Sequence, residues 1–205
     1  KENRVLREIL KTQAVTNTKE TFFIFNEEHI SFGNTYRRVN QYANGFINFG
    51  IKPGQRICLY MDSCPEFIYL SLAINMISAQ WIPINTDYKG KWLNDLLICS
   101  DPEIIITDES HCMNVTHLTD FSRKKKFVIG EKNWFEETFS CRKDIFHADE
   151  LLDVEDEICG VSQNYYDTTS ILWTSGTTGK PKGVMQSNNT WIRSALSSIE
   201  IGEIE

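Results

Sequence analysis

The chain has 205 residues with 28 acidic and 21 basic side chains, so its formal net charge is −7 and its pI is near 5.2. Hydrophobic residues make up 41% and aromatic residues 12% of the sequence, a globular composition that excludes disordered, collagen-like and disulfide-scaffold classes. The acidic balance argues against nucleic-acid binding, because a phosphate backbone requires a basic face. The basic run at 123–126 and the acidic run at 153–157 are predicted to be solvated loops.

Apolar periodicity predicts that helices and strands alternate along the chain. In chain order, the predicted elements are an amphipathic helix from residue 5 to 10, a hairpin of strands 22–25 and 30–32 around the turn 26–29, a helix from 36 to 47, a strand at 57–61, a helix from 65 to 77, a strand at 81–84, a helix from 92 to 97, and strands at 103–107 and 127–129. Gly50 is the predicted C′ residue of the second helix, and Pro65 is predicted to open the third.

The pattern weakens from residue 130 to 166, which we interpret as a loop-rich connection with a helix near 149–152. A strand at 170–173, a returning strand at 184–186 and a helix capped by Asn188 or Asn189 follow, the helix with the apolar face Trp191, Ile192 and Leu196. Continuous apolar strands that alternate with helices predict an α/β fold with a mostly parallel sheet and helices on both faces. We place a boundary between a subdomain at 1–167 and the start of the next at 168–205.

The six cysteines, at 58, 64, 99, 112, 141 and 159, form no Cys-x-x-Cys pair and are predicted to be free thiols. Cys58 and Cys99 lie in apolar runs and are interpreted as small hydrophobic residues. No apolar run approaches the ~20 residues that span a bilayer, and the N-terminus lacks a signal-peptide pattern. We therefore expect a cytoplasmic protein. The start at Lys1 and the end at Glu205 lead us to expect a trimmed or truncated product.

The segment 174–183 carries the most chemical information, because four hydroxyl side chains, three glycines and two lysines fall within ten residues. Glycines let backbone N–H groups approach an anion, hydroxyls add short donors, and lysines supply positive charge. The segment follows a strand directly and precedes another, so it is predicted to be the tip of a hairpin that binds polyphosphate. It is not a Walker A loop, because two residues rather than four separate Gly176 from Gly179, and Pro181 follows Lys180.

The run from Ile171 to Met185 resembles the signature loop of the adenylate-forming (AMP-binding) enzymes, a superfamily that includes the acyl-CoA synthetases. The segments 50–57, 62–68 and 81–86 resemble the strand entry, the helix and the strand that follow in that family. The last two are most similar to the carnitine/crotonobetaine-CoA ligase branch. The resemblance covers nearly the whole chain but only the N-terminal portion of the family's length.

The resemblance implies an ATP-dependent acid–thiol ligase, which joins a small carboxylic acid to AMP and then transfers it to coenzyme A. ATP, coenzyme A and Mg²⁺ are the implied co-substrates and cofactor. The residues implied to wrap the β- and γ-phosphates are Thr174, Ser175, Gly176, Thr177, Thr178 and Gly179, and those implied to neutralise them are Lys180 and Lys182.

Two departures from the family pattern limit what this chain can do. Asn188 stands where the family usually has a histidine, which concerns local packing or the substrate end of the site. The later adenine-, ribose- and Mg²⁺-binding motifs, most of the acyl pocket and the mobile C-terminal domain are absent from the 205 residues. We therefore expect no complete catalytic set and no metal ligands here, and no acyl-CoA synthesis by this polypeptide alone.

Other polar and aromatic residues are interpreted as structural. His111 and His117 are predicted to be surface residues, while Asp62, Asp87 and Asp108 follow strands and are predicted to serve turns and caps. The tryptophans predicted to lie in the core are Trp81, Trp92, Trp173 and Trp191. Two other functions stay open at this point: a short, non-catalytic binding module with the same fold, and a phosphotransferase that uses the loop differently.

Overall fold

The computed structural model describes residues 5–152, 161–174 and 181–202. The strands are β1 (Thr21–Phe25), β2 (Glu28–Ser31), β3 (Arg56–Tyr60), β4 (Gln80–Pro83), β5 (Ile104–Asp108), β6 (Lys125–Ile129), β7 (Ile145–His147), β8 (Thr168–Thr174) and β9 (Lys182–Ser187). The helices are α1 (Leu6–Thr16), α2 (Phe32–Asn48), α3 (Pro65–Met76), α4 (Gly90–Ser100), α5 (Cys112–Thr116), α6 (Lys132–Phe139) and α7 (Asn188–Gly202). Short 3-10 helices lie at Thr119–Phe121 and Ala148–Leu151.

Seven strands form one sheet in the order β7-β6-β5-β3-β4-β8-β9, and β1 and β2 form a separate antiparallel hairpin. All neighbours in the large sheet are parallel except β8 and β9, which are antiparallel. The structure therefore confirms the predicted α/β class and the mostly parallel sheet. The boundary at 167/168 stays a prediction, and β8 joins β4 through the pair Trp81 and Ser170.

Alternate residues of the central strands face opposite layers of helices. Ile57 and Leu59 of β3 belong to one core cluster, which includes residues of α2 and α3. Cys58 and Tyr60 of the same strand belong to a second cluster, which includes residues of α4. Because side chains alternate along a strand, a strand covered on both faces must be apolar at every position. This explains the continuous apolar runs of the sequence.

Local sequence signals set several element ends as predicted. Gly50 has φ +88°, its N–H donates to the carbonyl of Ile47, and the N–H of Ile51 donates to the carbonyl of Phe46, each at 2.9 Å. This double bond pattern is a Schellman C-cap, and it confirms Gly50 as the C′ residue. Pro65 is the first residue of α3.

The turn of the β1–β2 hairpin is shorter than predicted. It comprises two residues, Asn26 and Glu27, with φ of +46° and +68°, and His29 lies within β2 opposite Ile24. Two successive residues with positive φ match the twist of the flanking strands, which is why two-residue hairpin turns favour this geometry.

The prediction of a loop-rich connection from 130 to 166 was wrong for its first part. Residues 132–139 form α6, residues 145–147 form β7, and a 3-10 helix covers 148–151, one residue earlier than the predicted helix. β7 has three residues and pairs with β6, so its extended form depends on a neighbour distant in sequence. A short apolar run carries no such information by itself.

Several residues predicted to be buried are exposed. Trp92 is 56% exposed because α4 buries Leu93, Leu96 and Leu97 on a different side, and Leu196 on α7 is 55% exposed. Cys58 is buried as predicted, whereas Cys99 is exposed. The free thiols are confirmed for the cysteines of the described ranges, while Cys159 lies outside them. Within the same ranges, no helix has the length and apolar character needed to cross a bilayer.

Lys126 corrects the prediction that the basic run 123–126 is solvated. Its side chain lies in β6 and is fully buried. The ammonium group donates to the carbonyls of Phe121 and Lys124, at 2.7 and 2.9 Å, and to the carboxylate of Asp144 at 3.0 Å. Burial lowers the pKa of Lys126, while Asp144 opposes that shift. All three donors are used, which is how a cation can be accommodated inside a sheet.

Replacing Asp144 by asparagine is expected to lower the free energy of unfolding by about 2 kcal/mol, because Lys126 keeps its charge but loses its ionised hydrogen-bond partner. Two hydrogen bonds from Arg142, and one from Lys126, hold the pKa of Asp144 well below its usual value of 3.8. The stabilisation is therefore fully present above about pH 4 and is lost progressively as the pH falls from there towards the lower pKa of the folded state, so part of it is lost at pH 3. Urea unfolding followed by circular dichroism at pH 7 and pH 3 measures both effects.

The double variant with Lys126→Met is the control for this prediction. Methionine removes the buried cation, so most of the loss caused by Asp144→Asn should be recovered. An equal loss with and without the methionine would contradict the ion-pair explanation.

Candidate nucleotide-binding site

The predicted phosphate loop lies between two paired strands. Thr174, the last residue of β8, pairs with Lys182, the first residue of β9, and the Thr174 hydroxyl donates to the Lys182 carbonyl at 3.3 Å. Both side chains are exposed. The predicted hairpin is thus confirmed at its base. The six other predicted phosphate-binding residues, Ser175, Gly176, Thr177, Thr178, Gly179 and Lys180, lie outside the described residues.

Gly183 allows the aromatic ring of Trp173 to lie across the hairpin. The two residues pair in the β8–β9 ladder. A Cβ atom on Gly183 would come within 2.9 Å of Ile171 Cγ2 and 3.4 Å of the Trp173 ring. The indole N–H of Trp173 donates to Ser100 Oγ of α4 at 3.0 Å. The strand that leads into the loop is therefore tied to a helix on one face of the sheet.

Two further tryptophans pack on the other face of β8. Trp81 of β4 stacks on Trp191 of α7 with ring centroids 5.8 Å apart. The Trp191 indole donates to Ser170 Oγ at 3.0 Å. Trp81, Trp173 and Trp191 were predicted to lie in the core but are only partly buried, with Trp81 and Trp173 packed against the core clusters. The three rings fix β8 between β4 and α7.

The base of the loop, formed by Thr174 and Lys182, lies at the carboxyl edge of the sheet. Strands β3, β4, β5 and β8 are parallel, so their carboxyl ends meet at that edge together with the start of β9. In open parallel sheets, ligands bind in the crevice at this edge. The residues that follow β3, β4 and β5 there include Asp62, Thr86 and His111.

Asp108 links the carboxyl ends of β3 and β5 through hydrogen bonds. Its carboxylate accepts the N–H of Asp62 at 2.8 Å and the N–H of His111 at 2.9 Å, and it contacts His111 Nδ1 at 2.6 Å. The turn role predicted for Asp108 is thereby confirmed. Asp62 in turn accepts the hydroxyl of Thr86 at 3.1 Å.

His111 was wrongly predicted to be a surface residue, since its side chain is only 16% exposed. His117 is exposed as predicted. Among the described residues, Asp62, Asp108 and His111 form the group whose ligand atoms lie within 4.8 Å of one another. Because both oxygens of Asp108 already accept N–H groups, we interpret the group as a hydrogen-bonded support and assign no metal to it.

Tyr60 is a residue of this edge that the sequence analysis did not identify. It is fully buried at the end of β3, donates its hydroxyl to the carbonyl of Tyr88 at 2.8 Å, and accepts from Asn114 at 3.2 Å. Burial is the main cause of its raised pKa, so the phenol remains a neutral donor. Its position at the end of an apolar strand was the only sequence signal.

The whole chain was compared with known protein families. The model of the AMP-binding enzymes matches residues 10–204. The chain belongs to the AMP-binding enzyme family. Relatives of this AMP-binding chain include the crotonobetaine/carnitine–CoA ligase of Salmonella paratyphi C, which is 30% identical over 165 residues, 76% of this chain and 30% of the relative. The acetyl-coenzyme A synthetase of Alkalilimnicola ehrlichii is 29% identical over 174 residues, 78% of this chain and 26% of the relative.

Solved structures share the fold of the AMP-binding chain. ATP-bound MatB from Rhodopseudomonas palustris superposes with a TM-score of 0.77 at 21% identity, over 97% of this chain and 37% of that one. Coronafacic acid ligase from Pectobacterium brasiliense gives 0.78 at 22% identity, over 91% of this chain and 35% of that one. The AMP-binding chain thus spans 26–37% of the length of the four proteins named here.

Proposed function

We propose that the chain is the N-terminal part of an ATP-dependent acid–CoA ligase and that the β8–β9 hairpin holds the β- and γ-phosphates of ATP. The observation that carries this proposal is the hairpin with Thr174 and Lys182 at its base, at the carboxyl edge of a parallel sheet in an AMP-binding chain. The ligases and synthetases among its relatives support the reaction class.

The proposed reaction has two steps. A carboxylate oxygen attacks the α-phosphorus of ATP, an acyl–AMP bond forms, and pyrophosphate leaves. The thiolate of coenzyme A then attacks the acyl carbon, a thioester forms, and AMP leaves. In the first step an anion approaches an anion, so neutralising and orienting the phosphates is the main task of the protein.

The residues at the base of the hairpin fit a polyphosphate. The exposed Lys182 ammonium group supplies positive charge, and the Thr174 hydroxyl can turn from the Lys182 carbonyl to a phosphate oxygen. Lys180 and the hydroxyls of 175–178 are proposed to complete the donor set. Mg²⁺ is proposed to arrive bound to the phosphates, since the carboxylates of Asp62 and Asp108 at the same edge of the sheet already accept hydrogen bonds.

We propose that the remainder of the reaction depends on parts of the enzyme beyond these 205 residues. The chain spans 26–30% of the relatives named above. Subdomain 1–167 is proposed as the support and 168–205 as the start of the unit that carries the loop. The chain alone is accordingly proposed to form no thioester.

Carboxylate-dependent exchange between ATP and pyrophosphate, measured on the complete gene product, tests this function. Acetate and crotonobetaine are the first acids to try, given the names of the relatives. We expect exchange with at least one small carboxylic acid. Binding of ATP without exchange for any acid would contradict the ligase and favour a binding module. ATP turnover without any acid would favour a phosphotransferase.

A further inference from the structure

Asn188 opens α7 directly after β9, the strand on which the loop returns. Its side chain is fully buried, although asparagine at a helix start usually caps that helix. Here Ser187 is the cap instead of the predicted Asn188 or Asn189, because Ser187 Oγ accepts the N–H of Thr190 at 3.3 Å. The Asn188 amide is therefore available to segments elsewhere in the fold.

The amide of Asn188 joins three segments that are distant in sequence. Its Oδ1 accepts the N–H of Leu6 at 3.2 Å and the side-chain amide of Asn75 at 3.3 Å, and its Nδ2 donates to the carbonyl of Asn164 at 3.4 Å. Val5 precedes α1 without a side-chain cap, so Asn188 accepts a helix N–H that α1 cannot satisfy itself. The four residues joined in this way, Leu6, Asn75, Asn164 and Asn188, come from separate parts of the chain.

An antiparallel ladder of six residue pairs fixes β9 to β8, so the two strands form one hairpin, and β8 joins β4 through the single pair Trp81 and Ser170. β9 itself lies at the edge of the described sheet. Its residues Val184 and Met185 are 41% and 70% exposed, so their packing holds the strand weakly. At the far end from the loop, the bonds of Asn188 and the bond from the Asn189 N–H to the Tyr165 carbonyl, 2.8 Å, fix the strand to the body of the protein.

We propose that Asn188 is a positioning residue for the phosphate-binding loop, acting through β9 without touching the ligand. Its buried amide sets where the return strand ends, and the strand carries Lys182 at its other end, opposite Thr174. Loss of the amide removes an anchor from the far end of the hairpin, so Thr174 and Lys182 at its other end are held less firmly for phosphate. The inference rests on the proposed function for its ligand, ATP.

The experiment compares Asn188→Ala with Val128→Ala in the complete gene product. Val128 is fully buried in β6, which lies four positions from β8 in the strand order, and serves as a control for general destabilisation. Two quantities are measured where all variants are folded: the affinity for MgATP by calorimetry, and amide hydrogen exchange of residues 183–187. We expect Asn188→Ala to bind MgATP about tenfold more weakly, equivalent to about 1.4 kcal/mol, and to exchange faster in β9. Val128→Ala should change neither.

Each outcome decides the proposal. Equal effects of the two substitutions, or unchanged affinity and exchange in Asn188→Ala, would overturn it. If Asn188→Ala does not fold, Asn75→Ala removes one of the three bonds and should show smaller changes in the same direction. If the unaltered protein does not bind MgATP, the proposed function fails, while hydrogen exchange in β9 still decides whether Asn188 positions the strand.

Discussion

Replacing Gly45 by alanine is expected to lower the free energy of unfolding by about 3 kcal/mol, the upper end of the range for overpacking. Gly45 lies inside α2, and a Cβ atom there would come within 2.2 Å of the Leu151 carbonyl oxygen and 2.8 Å of the Leu151 Cα. These are backbone atoms of a buried residue, so no side-chain rotation relieves the contact. The gain of ~1 kcal/mol that alanine has over glycine in a helix is too small to compensate.

Chemical denaturation monitored by circular dichroism measures this loss. Gly50→Ala is the control, because Gly50 has φ +88° and open space around its Cα. That variant should lose about 1 kcal/mol from backbone conformation alone. If Gly45→Ala were as stable as the unaltered protein, the 3-10 helix at 148–151 would not pack on α2 as described.

Replacing Lys182 by methionine is expected to reduce the rate of ATP–pyrophosphate exchange on the order of a hundredfold. Methionine keeps much of the length of the side chain but removes the charge next to the proposed phosphate site. Lys182→Arg keeps the charge and should lose less activity, although its planar group donates with different geometry. The measurement is kcat/KM for ATP in carboxylate-dependent exchange by the complete gene product.

Lys52→Met is the matched control for this prediction. Lys52 is exposed and precedes β3 at the opposite edge of the sheet, so the same change in net charge occurs far from the loop. Exchange should be unaffected by it. Similar losses in both variants would mean that overall charge, and not the position of Lys182, accounts for the effect.

The main features of the fold could be predicted because they depend on local patterns. Apolar runs such as 57–60 and 104–107 carry the two-sided burial of a parallel strand, and Gly50 and Pro65 mark helix ends by their own backbone geometry. The hairpin base at Thr174 and Lys182 followed from a glycine-rich segment between two strands. In each case the information lies within a few neighbouring residues.

The errors occurred where a distant partner determines the environment. Lys126 belongs to a run of four basic residues, yet pairing with neighbouring strands buries it beside Asp144. Trp92 belongs to an apolar pattern, yet the rotation of α4 on the sheet exposes it. β7 is too short to show a period and becomes a strand through β6.

By itself the sequence determined the α/β class, the sheet type and the glycine-rich hairpin that predicts polyphosphate binding, since periodicity and backbone preferences are local. Only the tertiary structure decided which residues hold that hairpin. The amide of Asn188 reaches the N–H of Leu6 across 182 positions of sequence, and Gly45 meets the backbone of Leu151. Such contacts exist only after the sheet and its helices have packed, because burial and hydrogen-bond partners are properties of the folded chain.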